Sequence, residues 1–132
     1  MDAPRARSLL SHQWEGYAQY HQSRSNLVIH IVAVPIFLSA NVLSLVALLR
    51  GQWIAAGAAL VTMGASLTAQ GRGHRREPKP PEPFTGPLNA MLRIFAEQWL
   101  TFPRFVSTGG WWRALRQRLA AERQSPRTWR QP

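Results

Sequence analysis

The chain has 132 residues, no cysteine, and 16 Lys and Arg against 6 Asp and Glu, a formal net charge of +10 with a pI near 11.8. That length allows one domain, and the absence of cysteine excludes a disulfide scaffold, a Cys-ligated zinc or iron–sulfur site and a cysteine nucleophile. Histidine and carboxylate side chains are left as the candidate metal ligands.

The excess of positive charge first suggests nucleic acid or an anionic membrane surface, and its distribution decides between them. Residues 27–70 contain a single formal charge, Arg50, whereas residues 107–132 hold six Arg against Glu122. Basic ends around an almost uncharged middle are the pattern of membrane flanks. No nucleic-acid recognition motif is present, so nucleic acid is not expected as a partner.

Residues 8–22 place Leu9, Trp14, Tyr17 and Tyr20 on an amphipathic helix, which the polar run Gln22-Ser23-Arg24-Ser25-Asn26 ends. Ser25 or Asn26 is expected to cap the next helix. From Leu27 to Leu49, 18 of 23 residues are Ala, Val, Ile, Leu or Phe. As a helix this stretch extends about 34 Å, enough for a hydrocarbon core of about 30 Å. Within it Pro35 predicts a kink, and Asn41 a hydrogen bond across to Thr62 or Ser66. After Arg50-Gly51-Gln52 a second apolar run covers 53–69, with Ala58, Thr62 and Ser66 as a small-residue stripe for close packing. So short a link predicts an antiparallel transmembrane hairpin.

The segment 78–87 contains five prolines and predicts an extended connector, with Pro87 opening a helix over 87–106. Leu88, Met91, Leu92, Phe95, Trp99 and Phe102 share one face of it. A further helix over 111–123 sets Trp111, Trp112, Leu115 and Leu119 against Arg113, Arg116, Arg118 and Arg123, as a basic interfacial helix with aromatic anchors would. The expected fold is therefore an all-α membrane protein, one domain over 1–123: a helical hairpin with flanking amphipathic, interfacial helices, and a disordered tail at 124–132. The Lys and Arg flanks, Arg24 on one side and Arg72, Arg75, Arg76 and Lys79 on the other, predict both termini in the cytoplasm. The first 26 residues lack a continuous apolar h-region, so the first span serves as targeting signal. Arg outnumbers Lys 15 to 1, a bias of high-GC bacterial genomes, and an inner-membrane location is expected. Two short helices in lipid also allow a homo-oligomer.

Four histidines carry the candidate chemistry. In a hairpin, His21, His30 and His74 arrive at the same cytoplasmic end, whereas His12 falls in an exposed amphipathic segment and is expected to be solvated. One straight helix would put His21 and His30 about 180° apart, so the polar break at 22–26 is needed to bring them together. Glu77, three residues after His74, is the nearest carboxylate in sequence. Such a nitrogen and oxygen set suits Fe(II), Mn(II) or Zn(II). The same histidines would also serve as interfacial hydrogen-bonding groups. His30 is the strongest single candidate, because a polar ring one turn inside a membrane needs a partner.

The run Tyr20-His21-x4-Asn26-x3-His30-x4-Pro35, with Gly73-His74-x2-Glu77, Pro81-x2-Phe84 and Phe95-Ala96-Glu97, resembles a family of small membrane proteins. This family was long catalogued as a domain of unknown function, and its yeast member is a 2-hydroxy-fatty-acid dioxygenase. The resemblance covers residues 12–106. It implies an Fe(II)-dependent oxygenase of alpha-oxidation that shortens 2-hydroxy fatty acids by one carbon and consumes O₂. It also implies His21, His30 and His74 as catalytic metal ligands with Asn26 in support; the family's Glu more often stands four residues after the His, whereas Glu77 stands three after His74, so Glu97 is a rival to Glu77 as the carboxylate ligand. In that setting Arg72, Arg75 and Arg76 are candidates to steer the substrate carboxylate, or serve only as positive-inside residues. From another class, the chain reads as a non-catalytic membrane hairpin or scaffold subunit whose basic tail binds lipid.

Overall fold

The computed structural model describes residues 8–125, and all regular structure among them is helical. The elements are α1 (Leu9–Gly16), a 3₁₀ helix (Tyr17–Tyr20), α2 (Arg24–Leu49), α3 (Trp53–His74), α4 (Pro87–Ala96), a π-helical turn (Glu97–Thr101), α5 (Phe102–Ser107) and α6 (Gly110–Gln124). The tail expected at 124–132 lies outside the described residues from 126 onward.

The helix expected over 8–22 is shorter and tighter than its apolar pattern suggested. Ser8 opens α1 by accepting the amide of Ser11, the helix narrows to 3₁₀ at Tyr17, and the chain leaves helical geometry at His21. α2 then starts at Arg24, three residues before the apolar run, so Ser25 and Asn26 lie inside the first turn rather than at its cap. The Ser23 hydroxyl does not cap either. The amides of Gln22 and Ser23, which lead into α2, are satisfied from elsewhere in the chain by the Glu77 carboxylate.

α2 and α3 are each long and apolar enough to cross a membrane. They are joined by a turn in which Gly51 takes φ +66, the left-handed region that glycine enters without strain. Gln52 donates to the Ala47 carbonyl to close the turn. The helices run side by side: Asn26 lies beside Gly73, and Ser66 donates a 2.6 Å hydrogen bond to the Ala33 carbonyl. Ser66 is thus a cross-helix donor, but to backbone. Thr62 bonds back to Ala58, and neither side chain pairs with Asn41 among the described residues.

α3 continues five residues beyond the end of its apolar run. Hydropathy falls at Gln70, but the buried face does not: Ser66, Gln70 and Gly73 are all buried at helical spacing. This extension carries His74 to the final helical position.

α4, the π turn and α5 form one nearly continuous helix, opened by Pro87. Pro103 explains the irregularity. It lacks an N–H, and its ring collides with the carbonyl four residues back, that of Trp99. The helix widens to accommodate it, so the Phe102 amide bonds to the Glu97 carbonyl, five residues earlier.

Gly109, at φ +78, turns the chain into α6. A side chain on Gly110 would strike the Phe105 ring, so glycine lets α6 approach α5. Trp111 and Trp112, both expected as interfacial anchors, meet edge to face at 5.0 Å but differ in exposure. Trp111 is buried and its indole donates a 2.9 Å hydrogen bond to the Leu27 carbonyl, while Trp112 is exposed. One buried apolar cluster consists of Tyr17, Leu27, Val34, Phe102, Phe105 and Trp111. This cluster fastens α5 and α6 to the N-terminal half of α2.

Candidate metal centre

His21 follows the 3₁₀ helix, His30 lies in the second turn of α2, His74 ends α3, and Glu97 opens the π turn. Four separate elements deliver these side chains to one place. Their ligand atoms all lie within 4.8 Å of one another, the only such group of three or more metal-binding side chains among the described residues. Glu97 Oε1 lies 3.6 Å from His21 Nε2, 3.6 Å from His30 Nε2 and 3.9 Å from His74 Nε2. The three imidazole centroids are 4.8 to 5.0 Å apart and the rings meet edge to face.

The hydrogen bonds of the rings prepare two of them for a ligand. His21 Nδ1 lies 2.9 Å from the Tyr17 carbonyl, and His30 Nδ1 lies 3.0 Å from the Asn26 carbonyl. A carbonyl only accepts, so Nδ1 carries a proton in both, and Nε2 is the ring atom left to face the cluster. Both Nε2 atoms are buried and have no hydrogen-bond partner, as has Nδ1 of His74. Unpaired buried polar atoms are costly, and two that point into a cluster with a carboxylate have the chemistry a metal ion satisfies.

Glu97 is mostly buried. Burial would raise its pKa, but the His21 and His30 rings beside it hold the carboxyl well below the usual range, so it is an anion. Its Oε1 accepts a 3.0 Å hydrogen bond from the Tyr17 hydroxyl. Tyr17 is itself buried and stacks on His21 at 4.0 Å. Burial, reinforced by the Glu97 charge, pushes the phenol well above its ordinary pKa, so it remains a donor.

Of the two candidate carboxylates, only Glu97 joins the histidines. Glu77 turns to the start of α2, where it accepts from the amides of Gln22 and Ser23 and from Asn26 Nδ2 at 2.7 Å. Its oxygens are committed to three donors and to the positive end of the helix dipole, which is why it does not reach the imidazoles. Asn26 supports the cluster through its backbone, since its carbonyl receives the His30 proton. Arg72, Arg75 and Arg76 are exposed around His74 and pair with no carboxylate among the described residues. His12, expected in water, is exposed but hydrogen-bonded to Glu82, its Nε2 2.9 Å from Oε2.

Sequence reasoning missed Tyr17, which it read as one more apolar residue of the first helix, and the pair Gln70 and Gln98. These amides bond to each other in both directions, at 2.7 and 3.1 Å, and both are buried. A polar residue at the end of an apolar run was the one signal for Gln70. None existed for Gln98, whose inward direction depends on the π turn.

A helical protein with two candidate membrane spans and a buried three-histidine, one-carboxylate cluster belongs to the class of chains able to hold a mononuclear metal ion. Residues 8–126 match the family described as 2-hydroxy-palmitic acid dioxygenase Mpo1-like, and the chain belongs to that family. No curated protein and no solved structure matches it.

Proposed function

We propose that this protein is a membrane-bound, Fe(II)-dependent dioxygenase that shortens 2-hydroxy fatty acids by one carbon in alpha-oxidation. The observation that carries the reading is the cluster itself: His21 and His30 each present an unpaired, buried Nε2 to the Glu97 anion, with His74 completing the set. Histidine nitrogens with one carboxylate oxygen suit Fe(II), and His21, His30, His74 and Glu97 are the residues that would hold it. When bound, Fe(II) supplies redox chemistry with O₂ and Lewis-acid positions for the hydroxyl and carboxylate oxygens of the substrate.

The chain's own residues set the conditions. The Tyr17 and Asn26 carbonyls fix two rings by their Nδ1 protons, and the Tyr17 hydroxyl holds its proton against Glu97 Oε1. Phe102 and Phe105, packed on His30 and His21, exclude water from one side. Arg72, Arg75 and Arg76 stand in solvent next to His74 and would steer a carboxylate toward it.

A lipid substrate accords with the surface. Leu43, Ile54 and Val61 are 61%, 91% and 74% exposed on α2 and α3, and Leu88 and Met91 of α4 are 69% and 60% exposed. Apolar surface on this scale calls for hydrocarbon around it. We place both termini on the cytoplasmic side, in a bacterial inner membrane, with the acyl chain in the bilayer and its polar head at the cluster.

The test is to purify the full chain in detergent without oxygen, load it with Fe(II), and measure retained iron and oxygen uptake with a 2-hydroxy fatty acid. Stoichiometric iron and substrate-dependent uptake, both lost in His30→Ala and His74→Ala, are expected. Absence of retained iron, or uptake unchanged in the two variants, would overturn the reading.

A further inference from the structure

Gln70 and Gln98 are neutral, buried and remote in sequence, and their position relative to the cluster gives them more than a packing role. Gln70 lies four residues before His74 on α3, so the two share a helix face. Gln98 follows Glu97 directly in the π turn. The amide pair is therefore a rung between the helix face that bears His74 and the backbone that bears Glu97. Both rung bonds are short, Gln98 Nε2 to Gln70 Oε1 at 2.7 Å and Gln70 Nε2 to Gln98 Oε1 at 3.1 Å. The rung is braced in turn, because Gln70 Nε2 also donates to Ser66 Oγ at 3.2 Å and Ser66 donates to the Ala33 carbonyl of α2.

The wide turn at Glu97 makes such a brace necessary. A π turn is rare, appears mostly as a single turn inside an α-helix and is frequent at functional sites. Here Pro103 forces the widening, and Gln98 is the one residue of the turn that bonds side chain to side chain with the α2–α3 pair. A displacement of the turn by a fraction of an ångström would move Glu97 Oε1 relative to all three imidazoles.

We infer that the Gln70–Gln98 pair is a positioning device that registers Glu97 against His21, His30 and His74 as the fourth metal ligand. This rests on the proposed metal centre. Amides suit the role because two reciprocal hydrogen bonds fix both distance and orientation, and because neither partner carries a charge that would compete for the cation.

Co(II) alone, added to the full chain in detergent, is the probe. Its visible absorption reports ligand number and geometry, and its affinity is read by competition with a chelating dye. Gln98→Met and Gln70→Met preserve volume and remove the bonds. Each is expected to weaken Co(II) binding about tenfold and to change the visible spectrum, as loss of groups that orient metal ligands does. The double variant is expected to lose no more than either single one, because the pair acts as a unit. Pair residues that merely glue helices together would lower thermal stability and leave Co(II) affinity and spectrum at wild-type values, and that outcome overturns the inference. If wild-type protein itself shows no Co(II) band, the metal-centre reading fails as well, so the two failures are distinguishable. Should Gln98→Met not fold, Gln70→Met alone carries the test: weakened Co(II) binding with an altered spectrum is the expected result, wild-type affinity and spectrum the adverse one.

Discussion

Glu77 accepts a 2.7 Å hydrogen bond from the Asn26 side chain, and the backbone carbonyl of that same Asn26 receives the Nδ1 proton of His30. One carboxylate beyond the end of α3 thus organises the start of α2 and, through it, a candidate metal ligand. Replacing Glu77 by Ala strips the Gln22 and Ser23 amides and Asn26 Nδ2 of their acceptor. The expected cost is on the order of 3 kcal/mol, read as a lower thermal midpoint in detergent. Glu77→Gln, which keeps one acceptor, is expected to fall between. Because Glu77 is not in the cluster, Glu77→Gln should still bind metal, whereas Glu97→Ala should not; loss of all binding in Glu77→Gln would return it to the ligand set.

Tyr17→Phe removes one hydroxyl and leaves the ring stacked on His21. With the donor to Glu97 Oε1 gone, metal affinity is expected to fall about tenfold while helical content stays unchanged, by dye competition and circular dichroism respectively. The same variant identifies a titration. Tyr17 ionises well above the usual tyrosine pKa, so its contribution to stability is complete below about pH 10 and is lost as pH rises through the folded-state value. Tyrosinate absorbance in the folded wild type should accordingly have a late component that Tyr17→Phe lacks.

Glu97 titrates in the opposite sense. Its carboxyl is held below its ordinary value, so the stabilisation of the metal-free protein is present above about pH 4.5 and is lost as pH falls through the lower folded-state value. Acid unfolding of Glu97→Gln should be less pH-dependent than that of wild type across this window. Equal pH slopes for the two proteins would contradict the placement of the anion beside His21 and His30.

Gly73 faces Asn26 so closely that a methyl group would overlap its side-chain oxygen. Asn26 is fully buried and held by Tyr20 and Glu77, so it cannot retreat. Gly73→Ala is therefore expected to destabilise the protein by about 1–3 kcal/mol despite its gain in helix propensity, whereas Gly64→Ala, with open space around it, should not. Thermal midpoints of the two variants in one detergent make the comparison.

The two long apolar helices, the short link between them and the proline-rich connector are legible in the residues, because composition and period directly state which segments exclude water. The gathering of His21, His30 and His74 follows from the same reasoning: once the link is three residues long, ends distant in sequence must meet. The helix over 87–106 is equally plain from its apolar spacing, but not the defect within it, since Pro103 is one residue whose effect falls on a carbonyl four places earlier. Spacing favoured Glu77, three residues from His74, over Glu97, twenty-three away, yet proximity in sequence does not register competing partners. The free amides of Gln22 and Ser23 and the helix dipole of α2 attract Glu77, and no local pattern announces a cap supplied from 54 residues away. Trp111 and Trp112 are adjacent and chemically identical, and only the packing of α6 on α2 decides that one bonds to the Leu27 carbonyl while the other faces outward. By itself the sequence determined which segments are apolar and which side chains are of a kind that can bind a metal; only the tertiary structure decided which carboxylate stands with the histidines, because that choice is made between hydrogen-bonding partners far apart in the chain.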